Sequence, residues 1–277
     1  MSSVNHWRRC ATLCAVCAVV MTLITVFLIA PGMPPGNGSA QASGQVVDNT
    51  VLLGISAFVA TVVVVYFLYA AFAFRERQPE LALEGPRVRG DSRVQAWWLF
   101  ITTGIVLFLA GYGTVRLLED GSGGGQGPNP IAAPAGASHA LQVQVIAQQW
   151  KFTYRWPSFG GVETPVLELP ANTLIEFHVT SLDVIHSFWA YQLGVKADAN
   201  PGFDNIAYVQ TKSPLTFNIH CAELCGLWHG YMYENGYVVP KGQFTSWIRQ
   251  EEVRYAPITK TLPPYSTSYF PSPQRRA

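Results

Sequence analysis

Residues 215–239, LTFNIHCAELCGLWHGYMYENGYVV, decide the fold of the C-terminal half, because two strand-like runs flank one loop rich in sulfur and imidazole. The loop carries its four candidate ligands in the spacing C-x3-C-x3-H-x2-M: Cys221, Cys225, His229 and Met232. Soft sulfur ligands combined with imidazole favour copper over hard cations, and a thioether weighs against zinc. The loop therefore predicts a copper site held between two strands.

The second cysteine of this loop permits a second metal ion. One cysteine with two histidines and a methionine would make a mononuclear copper site, whereas two thiolates on one loop can bridge two copper ions. Either site needs another histidine, and the candidate is His186 in DVIHSFW (residues 183–189), 35 residues before Cys221. Cys221 and Cys225 could instead form a disulfide in an oxidising compartment, but the nearby histidines and methionine argue against that alternative.

The sequence around the loop indicates an all-β domain. Residues 141–146, LQVQVI, alternate apolar and polar side chains, as a half-buried strand does. Short strands separated by turn signals indicate a Greek-key sandwich or small barrel, and one ligand on an early strand with the others between the last two strands is a cupredoxin-like arrangement. A helix is predicted over 241–253, with Phe244, Trp247 and Ile248 on one face. The further strand-like runs are 165–169, 174–180, 185–191, 206–210, 215–220 and 236–239.

The N-terminal half is apolar. Three runs predict membrane-spanning helices over about 11–30, 50–74 and 94–116, because about 20 apolar residues cross a hydrocarbon core and lipid requires a helical backbone. The chain of 277 residues is 49% hydrophobic and 13% charged, which excludes a disordered chain and argues against a wholly soluble one. No block of basic residues occurs, so a nucleic-acid partner is not expected. The predicted fold class is transmembrane α-helices followed by an all-β, cupredoxin-like Greek-key domain.

The placement of arginines predicts the orientation in the membrane. The loop over 75–93 holds five arginines, and Arg8 and Arg9 precede the first run, whereas residues 31–49 hold no Lys or Arg. By the positive-inside bias, the N-terminus and the 75–93 loop are cytoplasmic and the C-terminal half lies outside. The first run could instead be a signal peptide cleaved after the small-residue stretch 40–42, but its length favours an uncut helix.

Composition divides the chain into four parts. A membrane region over 1–117 is followed by a Gly/Pro/Ala-rich segment, 118–138, which predicts a flexible linker. The β domain is expected over 139–253. The tail over 254–277 is rich in proline and is expected to have no fixed fold.

The chain resembles subunit II of a haem–copper cytochrome c oxidase, the subunit that carries the binuclear copper centre CuA. The resemblance covers about 50–252, and the copper loop, DVIHSFW (183–189) and KADANPG (196–202) match the family's pattern. It implies that two cysteines bridge the coppers, that two histidines are terminal ligands, and that a thioether and a backbone carbonyl complete the site. The bridging cysteines would be Cys221 and Cys225, and the terminal histidines His186 and His229. The thioether would come from Met232 and the backbone carbonyl from Glu223. The Glu223 carboxylate is implied to reach a magnesium ion at the interface with subunit I.

The resemblance also implies a function and a set of partners. The chain would accept electrons from cytochrome c and pass them to the haem of subunit I, where oxygen is reduced to water with proton translocation. Trp150, in QWKFTYRWP (149–157), matches the tryptophan that receives the electron. Subunit I, subunit III and membrane lipid would be partners, in a bacterial cell membrane with the copper domain on the outer side.

The charges near Trp150 depart from the family's pattern. Relatives that accept electrons from soluble cytochrome c often have acidic residues there, whereas Lys151 and Arg155 interleave the aromatic residues here. Residues 118–277 hold 10 Lys/Arg against 12 Asp/Glu, so long-range attraction of a basic donor should be weak. A membrane-bound or supercomplexed cytochrome c donor is therefore predicted.

Two alternative functions remain open from the sequence. A quinol-oxidase-type subunit II would have lost its copper, and the full ligand set argues against that. A membrane-tethered copper-binding module without an oxidase partner is the other alternative. No C-x-x-C-H motif occurs, so no c-type haem is expected on this chain.

Overall fold

The computed structural model describes residues 5–75 and 90–259, which separate into two compact units. The helical unit takes its residues from Met1–Met33 and Val47–Thr114, and the β unit from Pro34–Val46 and the chain after Thr114. The β unit therefore includes a short segment that lies between two membrane helices in the sequence.

Three helices of the described residues are long and apolar enough to cross a membrane, as predicted. The first, α1 (His6–Ile24), continues through a π turn and a 3-10 turn to Gly32, and Asn5 caps it by accepting from the Arg8 backbone N at 3.1 Å. The second is α2 (Ala40–Ala73) and the third is α3 (Ser92–Asp120). The second and third extend beyond the apolar runs into polar flanking residues, such as Gln41 at the start of the second helix and Glu119 at the end of the third.

The β unit is a sandwich of two five-stranded sheets followed by α4 (Lys241–Thr259). The strand orders are β3-β2-β1-β5-β8 and β4-β10-β9-β6-β7, with parallel pairs β1–β5 and β4–β10 and the other pairs antiparallel. Non-consecutive neighbours in both sheets make this a cupredoxin-like Greek-key domain, so the predicted fold class is confirmed. The strands are β1 Leu141–Gln148, β2 Lys151–Trp156, β3 Val162–Thr164, β4 Glu168–Pro170, β5 Leu174–Ser181, β6 His186–Ala190, β7 Val195–Ala199, β8 Asn205–Gln210, β9 Leu215–Cys221 and β10 Tyr233–Val239.

An aromatic core lies between the two sheets. The Phe188 ring on β6 packs against Phe152 and Phe177 of the facing sheet, with centroid distances of 5.6 and 5.4 Å. At one end of the core, α4 buries Phe244 against Trp156, with ring centroids 5.5 Å apart. The helix predicted at 241–253 is present with its apolar face inward, and it runs on to Thr259.

The segment predicted as a flexible linker, 118–138, differs from that expectation. Its first residues end α3, and the backbone N of Gly125 donates to the carbonyl O of Lys196 at 3.0 Å. An added Cβ on Gly125 would lie 2.4 Å from the Asn205 side chain. Glycine here permits close approach of the backbone to β7 and β8, so composition alone misidentified close packing as flexibility.

The start of α2 and the residue before it are hydrogen-bonded to a loop of the β unit. The Ser39 hydroxyl donates to the carbonyl O of Leu193 at 2.6 Å, and the Gln45 side chain donates to that of Gly194 at 2.7 Å. Ser39 and Ala42 are fully buried. These contacts tie residues 34–46 to the loop between β6 and β7.

Two predicted regions fall at least partly outside the described residues. The arginine-rich loop lies largely within 76–89, and most of the proline-rich tail lies within 260–277. The first part of the tail, up to Thr259, is helical because it continues α4.

Candidate metal centre

Strand pairing closes the loop that carries the candidate ligands. Strand β9 ends at Cys221, β10 begins directly after Met232, and the backbone N of Cys221 donates to the carbonyl O of Met232 at 3.0 Å. Strand β6 pairs with β9 so that Phe188 faces Cys221, and β6 begins at His186. The second sheet therefore brings residues 35 positions apart to the same end of the sandwich.

The structure brings the predicted metal-binding side chains together. The two Sγ atoms of Cys221 and Cys225 are 3.7 Å apart, and Nδ1 of His186 is 3.7 Å from the first of them. On the other side, the Cys225 Sγ lies 3.5 Å from Nδ1 of His229 and 3.9 Å from the Met232 Sδ. Each of the two thiol sulfurs therefore lies next to a different histidine.

A backbone oxygen also faces this cluster. The carbonyl O of Glu223 lies 3.2 Å from the Cys221 Sγ, while the Glu223 side chain is exposed. One residue therefore presents its carbonyl to the sulfurs and its carboxylate to the outside of the domain.

The two loop cysteines are free thiols rather than a disulfide. Their Sγ atoms are 3.7 Å apart, whereas a disulfide bond is about 2.05 Å long. The alternative raised by the sequence is therefore absent, and both sulfurs are available as ligands.

The donor set fits a soft metal. His186, Cys221, Cys225 and Met232 are buried, and His229 is partly exposed. His186 and the two cysteines each offer a ligand atom within 4.8 Å of the others. Buried thiol, thioether and imidazole donors that converge on one point favour copper, so the donor chemistry agrees with the predicted cofactor.

The two loop thiols differ in pKa because hydrogen bonds favour ionisation of Cys221, while the neighbouring Cys221 sulfur disfavours ionisation of Cys225. Burial opposes ionisation of Cys221, but hydrogen bonds from His186 and from nearby backbone groups outweigh it and lower the Cys221 pKa to about 6. Burial and the adjacent Cys221 sulfur raise the pKa of Cys225 to about 12. Because thiolates are the form that binds a metal ion, metal binding must release the thiol protons that remain.

Asp183 orients one of the histidines. Its carboxylate lies 2.9 Å from Nε2 of His186 and accepts from the backbone N of Gln149 and of Val184, each at 2.7 Å. Burial works against the charge, yet these hydrogen bonds lower the Asp183 pKa overall. A carboxylate on the remote nitrogen fixes the ring so that Nδ1 faces the sulfur. This role of Asp183 was not predicted, although the D-x-x-H spacing at the start of a strand could have indicated it.

Trp150 lies against the ligand loop. An added Cβ on Gly226 would be 3.4 Å from Cζ2 of the indole, and the adjacent Gln149 side chain donates to the carbonyl O of Cys225 at 2.8 Å. The Trp150 side chain is partly buried. Among the aromatic residues that follow it, Phe152 and Tyr154 are core residues, so the geometry separates Trp150 from its neighbours.

The fold and site define a class: a membrane-anchored cupredoxin with a sulfur-rich metal centre. The family model for the periplasmic domain of cytochrome c oxidase subunit II matches residues 162–235. The haem–copper oxidase subunit 2 of Aeropyrum pernix is 31% identical over 213 residues, which is 69% of this chain and 82% of the relative. The cytochrome c oxidase subunit 2 of Thermostichus vulcanus is 28% identical over 289 residues, or 88% of this chain and 86% of the relative.

A solved structure is also similar in sequence to part of this chain. The periplasmic domain of subunit II of the cytochrome oxidase of Bradyrhizobium japonicum is 29% identical. The match covers 42% of this chain and 95% of that one, with a TM-score of 0.40.

The chain belongs to the subunit II family of haem–copper oxidases. It is thus a subunit of an oxidoreductase complex with partner subunits such as subunit I, and it is a membrane protein with an extracytoplasmic, CuA-type cupredoxin domain.

Proposed function

We propose that this chain accepts electrons from cytochrome c and delivers them to the haem of subunit I, where oxygen is reduced to water with proton translocation. The observation that carries the proposal is the convergence of two thiol sulfurs, two imidazole Nδ1 atoms and a thioether at one end of the sandwich. When bound there, a pair of copper ions would supply one-electron redox chemistry.

The proposed ligands follow the contacts around each sulfur. Cys221 and Cys225 would bridge the two ions, because their sulfurs lie at the centre of the cluster. His186 and His229 would be terminal ligands, each next to a different sulfur. Met232 would bind on the Cys225 side, and the carbonyl of Glu223 on the Cys221 side.

The protein around the site supports fast electron transfer by holding the ligands still. His186 is fully buried, and Asp183 fixes its ring from behind. Pairing of β9 with β10 holds the ends of the ligand loop. Ligands that are fixed before an electron arrives need to move little when the charge of the site changes.

A role for Glu223 beyond its carbonyl is part of the proposal. We propose that its exposed carboxylate binds magnesium at the interface with subunit I, since one residue would then contact both metal sites. Glu223→Gln in the purified oxidase should lower bound magnesium while copper content stays constant. Unchanged magnesium in that variant would contradict the assignment.

We propose that Trp150 receives the electron from the donor. Its contact with Gly226, next to Cys225, supports this role. Trp150→Phe keeps an aromatic ring against the loop, so it should slow reduction by the donor without altering the copper spectrum. A changed spectrum would show that Trp150 is structural, and an unchanged rate would exclude it from the electron path.

The remaining partners are proposals of the same kind. Subunit III and membrane lipid would contact the membrane helices in a bacterial cell membrane. The donor would be a membrane-bound or supercomplexed cytochrome c, because exposed Lys151 next to Trp150 does not attract a basic protein. Association rates that fall steeply with salt for a basic soluble cytochrome c would contradict this donor class.

We further propose that α1 is retained in the mature protein. Cleavage after Ala42 would remove Ser39, whose hydroxyl is hydrogen-bonded to Leu193, and would cut the chain within α2. The mass of the purified subunit should include residues before 40, and a mature chain that begins at Ser43 would refute retention.

Co-purification tests the proposed function directly. The tagged full chain should purify from membranes with a haem-containing subunit and with copper in a mixed-valence state. A copper-loaded chain that brings no haem protein would favour a membrane-tethered copper-binding module. A haem partner with no copper on this chain would favour the quinol-oxidase type.

A further inference from the structure

A groove runs beside the contact between the start of α1 and the end of α2. At this contact Nδ1 of His6 lies 2.9 Å from the hydroxyl O of Tyr69. The groove has a volume of about 930 Å³, and Leu13, Leu68 and Phe72 form part of its apolar wall. These three side chains are 46%, 46% and 77% exposed. The groove therefore has the size and the apolar walls to hold an acyl chain.

Two arginines line the same groove. Arg8 and Arg9 lie on the first turns of α1, and both are exposed. We name this surface the basic groove, and it is formed by Arg8, Arg9, Leu13, Leu68 and Phe72. Residues 5–75 contain a single acidic residue, Asp48, which lies towards the opposite end of α2. Because guanidinium groups bind phosphate oxygens in pairs, the basic groove combines a phosphate-binding charge with an apolar wall, as an anionic phospholipid requires.

The direction of the chain places the basic groove at the cytoplasmic face of the membrane. The β unit is extracytoplasmic, and it includes residues 34–46, which join α1 to α2. Both helices are long and apolar enough to cross, so α1 begins and α2 ends at the cytoplasmic face. Anionic lipids give that leaflet a negative surface potential, and basic pockets between membrane helices there bind anionic headgroups. The location of the groove therefore fits the same kind of lipid.

A second groove on the same helix pair lacks the two arginines. It also includes His6 and Tyr69, but its volume is about 460 Å³. Among the described residues, those that line it include no lysine or arginine, and its aromatic walls come from Trp7, Tyr66 and Phe74. The helix pair thus offers one charged and one uncharged groove, and only the charged one should select a lipid by its headgroup.

We propose that the basic groove binds one anionic phospholipid of the cytoplasmic leaflet. Arg8 and Arg9 hold the headgroup phosphate, and one acyl chain lies along Leu13, Leu68 and Phe72. Binding is noncovalent, so no bond forms or breaks. The inference specifies the lipid contact named in the proposed function, and it rests on membrane insertion of α1 and α2 rather than on electron transfer.

The test uses the complete oxidase, purified in detergent and freed of lipid. It is titrated with phosphatidylglycerol or with phosphatidylcholine of the same acyl chains, and native mass spectrometry counts the bound lipids. Affinity for phosphatidylglycerol should fall about 5-fold in Arg8→Gln or Arg9→Gln and about 30-fold in the double variant, as loss of basic residues near a membrane surface predicts. Binding of phosphatidylcholine should stay the same, and so should the copper spectrum.

A second variant changes the apolar wall and keeps both arginines. Leu68→Trp fills part of the groove, so it should also weaken binding of phosphatidylglycerol. Val63→Trp is its matched control, because Val63 is 60% exposed on the same helix and does not line the basic groove. Arg93→Gln is the control for charge, since Arg93 is an exposed residue at the start of α3. Both controls should bind phosphatidylglycerol as the unchanged oxidase does, and inorganic phosphate should not displace the lipid.

Four results would overturn the proposal. Equal binding of phosphatidylglycerol by the double arginine variant and the unchanged oxidase would show lipid around the helices without a specific site. An equal loss in Arg93→Gln would show general attraction to positive charge. Displacement by inorganic phosphate would assign the groove to a soluble anion, and loss of a protein subunit from the double variant would place the groove against that subunit. In each case, copper and haem retained in the unchanged oxidase would leave the proposed electron transfer standing.

Discussion

Two buried histidines on opposite sheets of the sandwich show how partners decide the role of an imidazole. His186 on β6 and His178 on β5 each have a carboxylate on one ring nitrogen, from Asp183 at 2.9 Å and from Asp204 at 2.8 Å. The other nitrogen of His186 faces the Cys221 sulfur at 3.7 Å. A carboxylate thus accompanies both histidines, and only one of them faces a thiol.

The second nitrogen of His178 meets another acid instead. Its Nε2 lies 3.6 Å from a carboxylate oxygen of Glu176, which also accepts from the Tyr208 hydroxyl at 3.0 Å. Among the described residues, the group that could hold a metal contains His186 and not His178. We infer that the His178 cluster stabilises the first sheet, because its two hydrogen bonds, His178 to Asp204 and Tyr208 to Glu176, join β5 to β8 and to the residue that precedes β8.

Removing the thiol that faces His186 should have the largest effect on the copper centre. Cys221→Ser should abolish the binuclear copper signal and reduce donor-driven electron transfer to background, because serine cannot bridge two copper ions as a thiolate does. Electron paramagnetic resonance and copper analysis check this. Cys17→Ser in α1 is the matched control and should keep both, while a surviving signal in Cys221→Ser would refute the bridging role.

Exchanging each of the two carboxylates for an amide tests whether only the partner of His186 supports copper binding. Asp183→Asn should weaken copper binding about 10–100-fold, as loss of a partner that orients a ligand does. Asp204→Asn removes the equivalent carboxylate from His178 and should leave copper affinity unchanged. Copper titrations of the two variants measure both effects. Equal losses in the two would show that the effect is general destabilisation rather than orientation of His186.

The same Asp204→Asn variant should act on stability. The side chains of Asp204 and His178 are each 7% exposed. Loss of their charge-assisted hydrogen bond should therefore lower the free energy of unfolding by about 2 kcal/mol. Thermal unfolding of the copper-free chain should therefore shift to lower temperature. If Asp204→Asn leaves the unfolding temperature of the β unit unchanged, the His178 cluster does not have the structural role inferred for it.

A half-buried carboxyl without a histidine is expected to affect only the pH dependence of stability. Burial raises the pKa of Glu234 to about 7 from an ordinary value of 4.5, although the hydrogen bond from Tyr154 and the charge of Lys151 oppose the shift. The folded chain keeps a proton that the unfolded chain loses in this window, so stability should fall as pH rises from about 4.5 to 7. Glu234→Gln should flatten this part of the stability profile, and an identical profile would contradict the shift.

The sequence predicted the side chains that converge at the candidate metal centre better than it predicted the residues that support them. Cys221, Cys225 and Met232 share one loop, and their spacing carries the chemistry without any tertiary information. His186 lies 35 residues before Cys221, and the motif around His186 supported its prediction as a ligand. Asp204 lies 26 residues from His178 with no motif to join them, so only strand pairing reveals that contact.

Some contacts of the β unit lie outside the predicted range of 139–253, and the sequence does not reveal them for a related reason. Ser39 and Gln45 precede the second predicted apolar run, 50–74, in an uncharged stretch, and nothing in their spacing shows that they bind Leu193 and Gly194. Gly125 was assigned to a flexible linker from composition, whereas it lies against Asn205. A fragment that begins at residue 139 would lack these contacts, so experiments on this domain need the full chain.

Electron paramagnetic resonance with copper quantitation on the purified, copper-loaded full chain measures whether the centre is binuclear. We expect two copper ions per chain and a hyperfine pattern from one unpaired electron shared by two copper nuclei, because Cys221 and Cys225 place their sulfurs between two histidines. A single copper ion per chain, or the pattern of one isolated copper nucleus, would contradict it.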